Sequence, residues 1–201
     1  MLKKWLHFKA FLVPVIFFMV MIQIASFRAP ELFSRIHDPY AVLGAQGFEQ
    51  AGIMNAAWIG FGALVILITT SIHHRHELSQ AITYPLIVFG ITIIFIGIWQ
   101  TDNVYALTES NIDEVEDHIL FYWIAKIAIT LCVLIHAILT KSKRLKWIHI
   151  LFSLALILTV LSGLLTTEFA GLVDRLLWVL IMTWLLTLFG RVQLYGNNQR
   201  L

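Results

Sequence analysis

Asp102, His118, Lys126, Glu168, Asp174 and Arg175 are the residues of this 201-residue chain whose types could do chemistry together. A histidine beside a carboxylate can move a proton, with His118 as general base and Asp102 or Asp174 orienting it. Arg175 or Lys126 could hold a phosphate while it does so. Without a reacting bond, the same set is a binding pocket for a lipid or another small ligand. Asp102 and Glu168 raise a further question. Each stands at the C-terminal end of an apolar run, where the dipole of a helix disfavours negative charge. Water, an arginine or a bound cation would compensate there. The plainer alternative is a set of interfacial charges that anchor helix ends.

Lys126 lies deep within an apolar run, about 12 Å from His118 at the helical rise. Such a charge costs about 2.5–3.5 kcal/mol to insert, so it faces a bundle interior or snorkels outward. Three readings stand. The ammonium reaches toward acids such as Asp102, Asp117, Glu168 and Asp174, it meets an anionic ligand such as a lipid headgroup, or it is held neutral. Tyr122 stands one turn above it. His118 and His136 share a helix face eighteen residues apart, as in membrane cytochromes with two haems. His149 or His7 could complete an inner site, but the outer one finds no second ligand within a span, so no cofactor is expected. His73, His74 and His76 read as a turn at the interface, and no metal site is expected there. Glu109, Asp113 and Glu116 fall on one helical face and could hold a divalent cation. They also fit a solvated first turn capped by Asn111, with Glu114 three residues on.

The elements that position these residues are set by hydropathy. The chain is 59% hydrophobic and only 13% charged, too apolar for a soluble domain of this length. A lipid core about 30 Å thick needs roughly 20 mostly apolar residues per crossing. Six runs qualify, at about 8–27, 52–72, 81–99, 118–140, 147–167 and 175–194. The expectation is an all-α polytopic membrane protein, a six-transmembrane-helix bundle forming one domain over 1–201. The first run has lysines before it, as a signal peptide would, but no clear cleavage motif after it, so a retained helix is expected. The segment 28–51 has two prolines and two glycines, with a third glycine directly after it at Gly52, which argue against a continuous helix. Its apolar residues suggest that it lies on the membrane surface. Cys132 is the only cysteine, so there is no disulfide framework.

Charge then orients the spans. Lys3, Lys4, Lys9, Arg75, Lys141, Lys143, Arg144, Lys146, Arg191 and Arg200 fall on one side, and only Arg28, Arg35 and Arg175 on the other. Basic short loops stay in the cytoplasm, so both termini are expected to be cytoplasmic, in the cell membrane. Eleven of twelve acids fall on the opposite side, Glu77 being the exception. Asp102, His118, Glu168, Asp174 and Arg175 would then form a polar ring at the extracytoplasmic rim.

No H-E-x-x-H, G-x-S-x-G or glycine-rich phosphate loop occurs. The basic loops are short and serve topology, so nucleic acid is not an expected partner. Membrane lipids are, and a membrane-protein partner is compatible with an accessory subunit. Three functions compete: a lipid- or ligand-binding module, a lipid-modifying intramembrane enzyme built on His118 with Asp102 or Asp174, and a small transporter. The transporter is the weakest, because spans two to six show no matched pair of proline-broken helices.

Several short motifs resemble one family. They are Tyr40 and Leu43-Gly44 ahead of the second span, Asn55 near its start, and Gly97-Ile98-Trp99-Gln100-Thr101-Asp102 at the end of the third. His118 at the start of the fourth and Gly171-Leu172-Val173-Asp174-Arg175 before the sixth complete the set. Over nearly its full length the chain is similar to the six-helix membrane proteins of bacteria and archaea grouped as DUF998. It departs in having Trp99 and Gln100 for Phe and Pro, and Asp174 for Gln. The resemblance implies a six-helix fold and no activity. It points to the same rim, adding Asn55 to Asp102, His118 and Arg175 as candidate ligand-binding residues.

Overall fold

Helix-forming apolar runs separated by short polar turns leave few options in lipid, where every backbone polar group must be satisfied within its own segment. The computed structural model describes the backbone of residues 2–74, 78–101, 112–165 and 168–195. It describes the side chains of 12–74, 78–101, 113–162 and 168–187. Among the described residues there are six α-helices and no strand: α1 (Leu2–Phe27), α2 (Ala51–His74), α3 (Gln80–Ile98), α4 (Ile112–Leu139), α5 (Lys143–Leu165) and α6 (Ala170–Tyr195). The expected spans lie largely on these helices: the third and fourth end one residue past α3 and α4, and residues 166–167 of the fifth lie outside the described residues. Helix α4 begins at Ile112, well before the apolar run, as its acidic first turn with Asp113 and Glu114 implies.

Each helix packs on its sequence neighbours, and α6 returns to α1, closing a ring. The centre of one side is aromatic. Phe18 of α1 stacks on Phe61 of α2 at 4.7 Å, and Trp58 of α2 meets Trp178 of α6 at 4.9 Å. Phe18 also touches both tryptophans, so α1, α2 and α6 share one plug of rings. The outside is apolar too: Ile16, Leu67, Val88, Ile127, Leu154 and Val179 are all exposed. In water so much exposed apolar surface would aggregate, whereas in lipid it is the solvated face. Five helices are long and apolar enough to cross a membrane, and the described apolar part of α1, Leu12–Phe27, is shorter. The protein is a multi-pass helical membrane bundle.

Small residues allow the tightest contact, between α2 and α3. A Cβ on Gly62 would collide with the Gly90 carbonyl and stand 2.8 Å from Ile94 Cγ1. One on Gly97 would stand 2.7 Å from the Asn55 carbonyl. Helix α5 is packed most loosely. Its buried stripe is His149, Ser153, Leu156 and Thr159, and most of its remaining surface faces outward.

The segment 28–50 contains only a 3-10 turn, Tyr40–Gly44. It does not simply lie on the membrane surface: Val42, Leu43 and Ala45 are buried against the bundle end. It is tied down at both flanks. Gln46 donates its amide to the Thr101 carbonyl at 3.1 Å, after a turn that continues through Gly47 at φ 77°, where glycine carries no steric penalty. At the other flank, the amides of Gly171 and Leu172 donate to the carbonyls of His37 and Ile36. These carbonyls satisfy two of the orphan donors at the start of α6. This is the loop end of the bundle; Lys141 to Lys146 lie at the opposite, basic end.

Candidate functional site

Asp174 is the centre of the polar residues at the loop end. It sits in the second turn of α6 and is 5% exposed. Both of its oxygens are used. Oδ2 accepts the Tyr40 amide at 2.9 Å, and Oδ1 accepts the Tyr122 hydroxyl. The proximity of the α6 N-terminus favours the carboxylate. One acid thus joins the loop, α4 and α6.

Lys126, one turn below Tyr122, completes the cluster. Its Nζ stands 4.0 Å from the centre of the Tyr122 ring and 4.8 Å from that of Trp123. The ammonium therefore folds back along its own helix toward the loop end, against two aromatic faces that attract a cation. It acts electrostatically on Asp174, as does Arg175. Two cations thus bear on one carboxylate. The other buried acid among the described residues, Asp38, accepts the Ser34 amide at 2.6 Å.

Lys126 borders two spaces of different character. Inward is a cavity of about 10 Å³ between Phe89, Ile93, Tyr122, Leu177, Trp178 and Ile181, room for a single water at most. Outward is a groove of about 300 Å³ between α4 and α5. Trp123, Ile127, Thr130 and Leu131 line one wall, and Ile157, Val160 and Leu161 the other. Thr130 keeps its hydroxyl on the Lys126 carbonyl at 2.7 Å, so Lys126 supplies the groove's only charge.

The remaining expected site residues take separate positions. Arg175 is a latch: Nη1 donates to the Gly171 carbonyl at 2.7 Å and to the Asp38 carbonyl at 3.0 Å. Its guanidinium lies 4.6 Å over the Tyr40 ring. Burial pushes the Tyr40 phenol above its ordinary pKa, with Asp174 adding to the rise and Arg175 and Arg35 opposing it. His118, 5% exposed, donates from Nδ1 to the Trp99 carbonyl at 2.8 Å. That bond assigns the proton to Nδ1, and Nε2 has no hydrogen-bond partner among the described residues. His118 therefore caps the end of α3. Asn55 is buried beneath the 3-10 turn, its side-chain oxygen pressed against Gly44. Glu168 meets the loop through its backbone, whose carbonyl accepts His37 Nδ1 at 2.5 Å. Asp102, Glu109 and His76 lie outside the described residues. Asp113 and Glu116 are exposed, and no group of three metal-ligating side chains occurs among the described residues.

As a general base oriented by Asp174, His118 would need that carboxylate on its ring; Asp102, the other candidate, lies outside the described residues. His118 Nδ1 instead holds a backbone carbonyl, while the two oxygens of Asp174 hold Tyr40 and Tyr122. Of the inner histidines, the side chains of His136 and His149 are described and that of His7 is not. The His136 and His149 rings are 4.1 Å apart between centres, in contact, with no space for a macrocycle between them. Sequence reading missed the α4–α5 groove and the role of Trp123. Ile127, Leu131 and Leu161 look like any lipid-facing stripe. Lys126 was the only available signal.

The residues of the short sequence motifs meet in this structure. Gly44 lies on Asn55, Gly97 packs on the backbone of Asn55, and His118 holds Trp99. Gly171 and Arg175 hold Asp38. All lie at the loop end. No curated protein and no solved structure matches the chain. A family described as protein of unknown function, DUF998, matches residues 11–191, nearly the whole chain. The chain belongs to the DUF998 family.

Proposed function

We propose that the protein binds an anionic membrane lipid, with an acyl chain in the α4–α5 groove and the headgroup at Lys126. It would act as a lipid-binding module or as the lipid-holding subunit of a larger membrane assembly. The observation that carries this reading is the position of Lys126. Its ammonium stands over two aromatic rings at the edge of a 300 Å³ groove that is otherwise apolar or hydrogen-bonded internally. Charge supports it: Lys126 and Arg175 together outweigh Asp174, so an added anion would balance the cluster. The groove faces outward between two neighbouring helices, so a lipid would reach it sideways from the bilayer.

In this reading the basic end of the bundle is cytoplasmic and the loop end extracytoplasmic, in the cell membrane. Lys126 would then draw its lipid from the outer leaflet. Native mass spectrometry of protein extracted from bilayers of mixed phosphatidylglycerol and phosphatidylcholine tests the proposal. Wild type should retain phosphatidylglycerol preferentially. Lys126→Gln should lose the preference, and Val160→Trp, which fills the groove, should lose the lipid. Equal retention by all three proteins would refute it.

A further inference from the structure

A second pocket lies at the loop end, away from Lys126, where the C-terminus of α1 approaches the N-terminus of α2. It has a volume of about 210 Å³ and is lined by Ala25, Arg28, Pro30, Leu43, Phe48, Glu49 and Gln50 among others. Arg28 and Glu49 carry opposite charges in one pocket. Among the described residues, no side-chain hydrogen bond or ion pair engages either of them. Opposite charges that line one small space without pairing leave a fork open: a guanidinium ready for an anion and a carboxylate ready for an ammonium.

The backbone around the fork is fixed. The Arg28 amide is bonded to the carbonyls of Ile24 and Ala25, and the Phe48 amide to that of Ala45. Phe48 also accepts the Ala51 amide through its carbonyl, which seats Glu49 and Gln50 directly before the first turn of α2. The two helix ends complement the fork's own charges, with Glu49 just before the α2 N-terminus and Arg28 just after the α1 C-terminus.

We infer that this pocket binds a zwitterion carrying an anionic group and an ammonium on one short backbone. Arg28 takes the anion and Glu49 the ammonium. A metal ion would find Glu49 as the single acid in the lining, and a simple anion would meet Glu49 as a repulsive neighbour. The volume is below the range of about 300–1,000 Å³ that holds drug-sized ligands, which limits the occupant to something of headgroup size. The apolar run of α1 ends at Phe27, which is fully outward-facing at 81% exposure. The pocket therefore sits at the membrane boundary, where headgroups are found. A phosphoethanolamine headgroup and a free amino-acid-like zwitterion share the required chemistry.

The experiment compares wild type with Arg28→Gln, Glu49→Gln, the reversed pair Arg28→Glu with Glu49→Arg, and Arg144→Gln at the basic end as control. Each protein is placed in nanodiscs of phosphatidylethanolamine and phosphatidylglycerol, and lipid carried through extraction is counted by native mass spectrometry. Delipidated protein is also titrated with free phosphoethanolamine and with glycine, following Tm. Retention of phosphatidylethanolamine by wild type, reduced at least tenfold by either single neutralisation and partly restored in the reversed pair, supports a headgroup site. A Tm rise with the free compounds only, lost in the same variants, supports a soluble zwitterion. If neither assay separates the Arg28 and Glu49 variants from wild type and the control, the proposal is overturned. The same holds if phosphatidylglycerol is retained as well as phosphatidylethanolamine through these residues.

Discussion

His118 donates to the last turn of α3 from the neighbouring helix, and this bond connects α3 and α4 at the loop end. The α3 carbonyls there have no partner within their own helix. His118→Ala should therefore lower stability by about 0.5–1.5 kcal/mol, the net value of a typical hydrogen bond. His118→Gln, which keeps a donor, should recover part of it, as measured by thermal unfolding in detergent. Asp174 carries two jobs that substitution can separate. Asp174→Asn keeps one acceptor oxygen, for either Tyr122 or Tyr40, and removes the charge that faces Lys126. Asp174→Ala leaves buried donors unmatched, at about 1–3 kcal/mol each. The expected stability order is wild type, then Asn, then Ala. The Asn variant should bind anionic lipid more tightly than wild type, because the cations lose their competing carboxylate. An Asn variant with weaker anionic-lipid binding would contradict the charge argument. At this scale the sequence exposed Lys126 as a charge inside an apolar run, and His118 and Asp174 as polar residues at the ends of such runs. It hid which partners they take. Nothing local tells His118 that it will meet a carbonyl instead of Asp174, because that depends on where α3 ends.

Among the elements, α2 and α3 form the tight pair and α4 and α5 the open one. The first is set by glycine: Gly62 and Gly90 let backbones touch where any side chain would separate them. Gly62→Ala should destabilise the bundle by about 1–3 kcal/mol through overpacking, read as a fall in Tm. Gly52, where an added Cβ would meet nothing within 4 Å, should tolerate the same change. The second pair is open because α5 offers a narrow, partly polar stripe to α4 and leaves the groove beside it. Hydropathy predicted the six helices because a span must be long and apolar whatever its neighbours. It misjudged the 28–51 segment. The alternation of Pro, Gly and apolar residues there correctly signals an irregular chain. Whether such a chain lies on lipid or folds over a bundle depends on contacts to Thr101, Gly171 and Leu172, far away in sequence.

The whole molecule is a closed ring of helices whose polar residues concentrate at one end and whose basic loops sit at the other. Cys132, the only cysteine, is buried. Cysteines introduced at Gln50 and Ser142 can therefore be labelled against a quiet background. An impermeant maleimide added to intact cells should label Gln50→Cys and leave Ser142→Cys until the cells are opened. Labelling of both from outside would contradict the orientation. The central claim concerns Lys126 and the groove beside it, and the most direct measurement is a cryo-EM structure in nanodiscs containing phosphatidylglycerol. Chain-shaped density between Ile127, Leu131, Ile157 and Leu161, ending in headgroup density at the Lys126 ammonium, is the predicted result. A groove closed by α5 moving onto α4, or lipid density there with no headgroup contact to Lys126, would contradict the account.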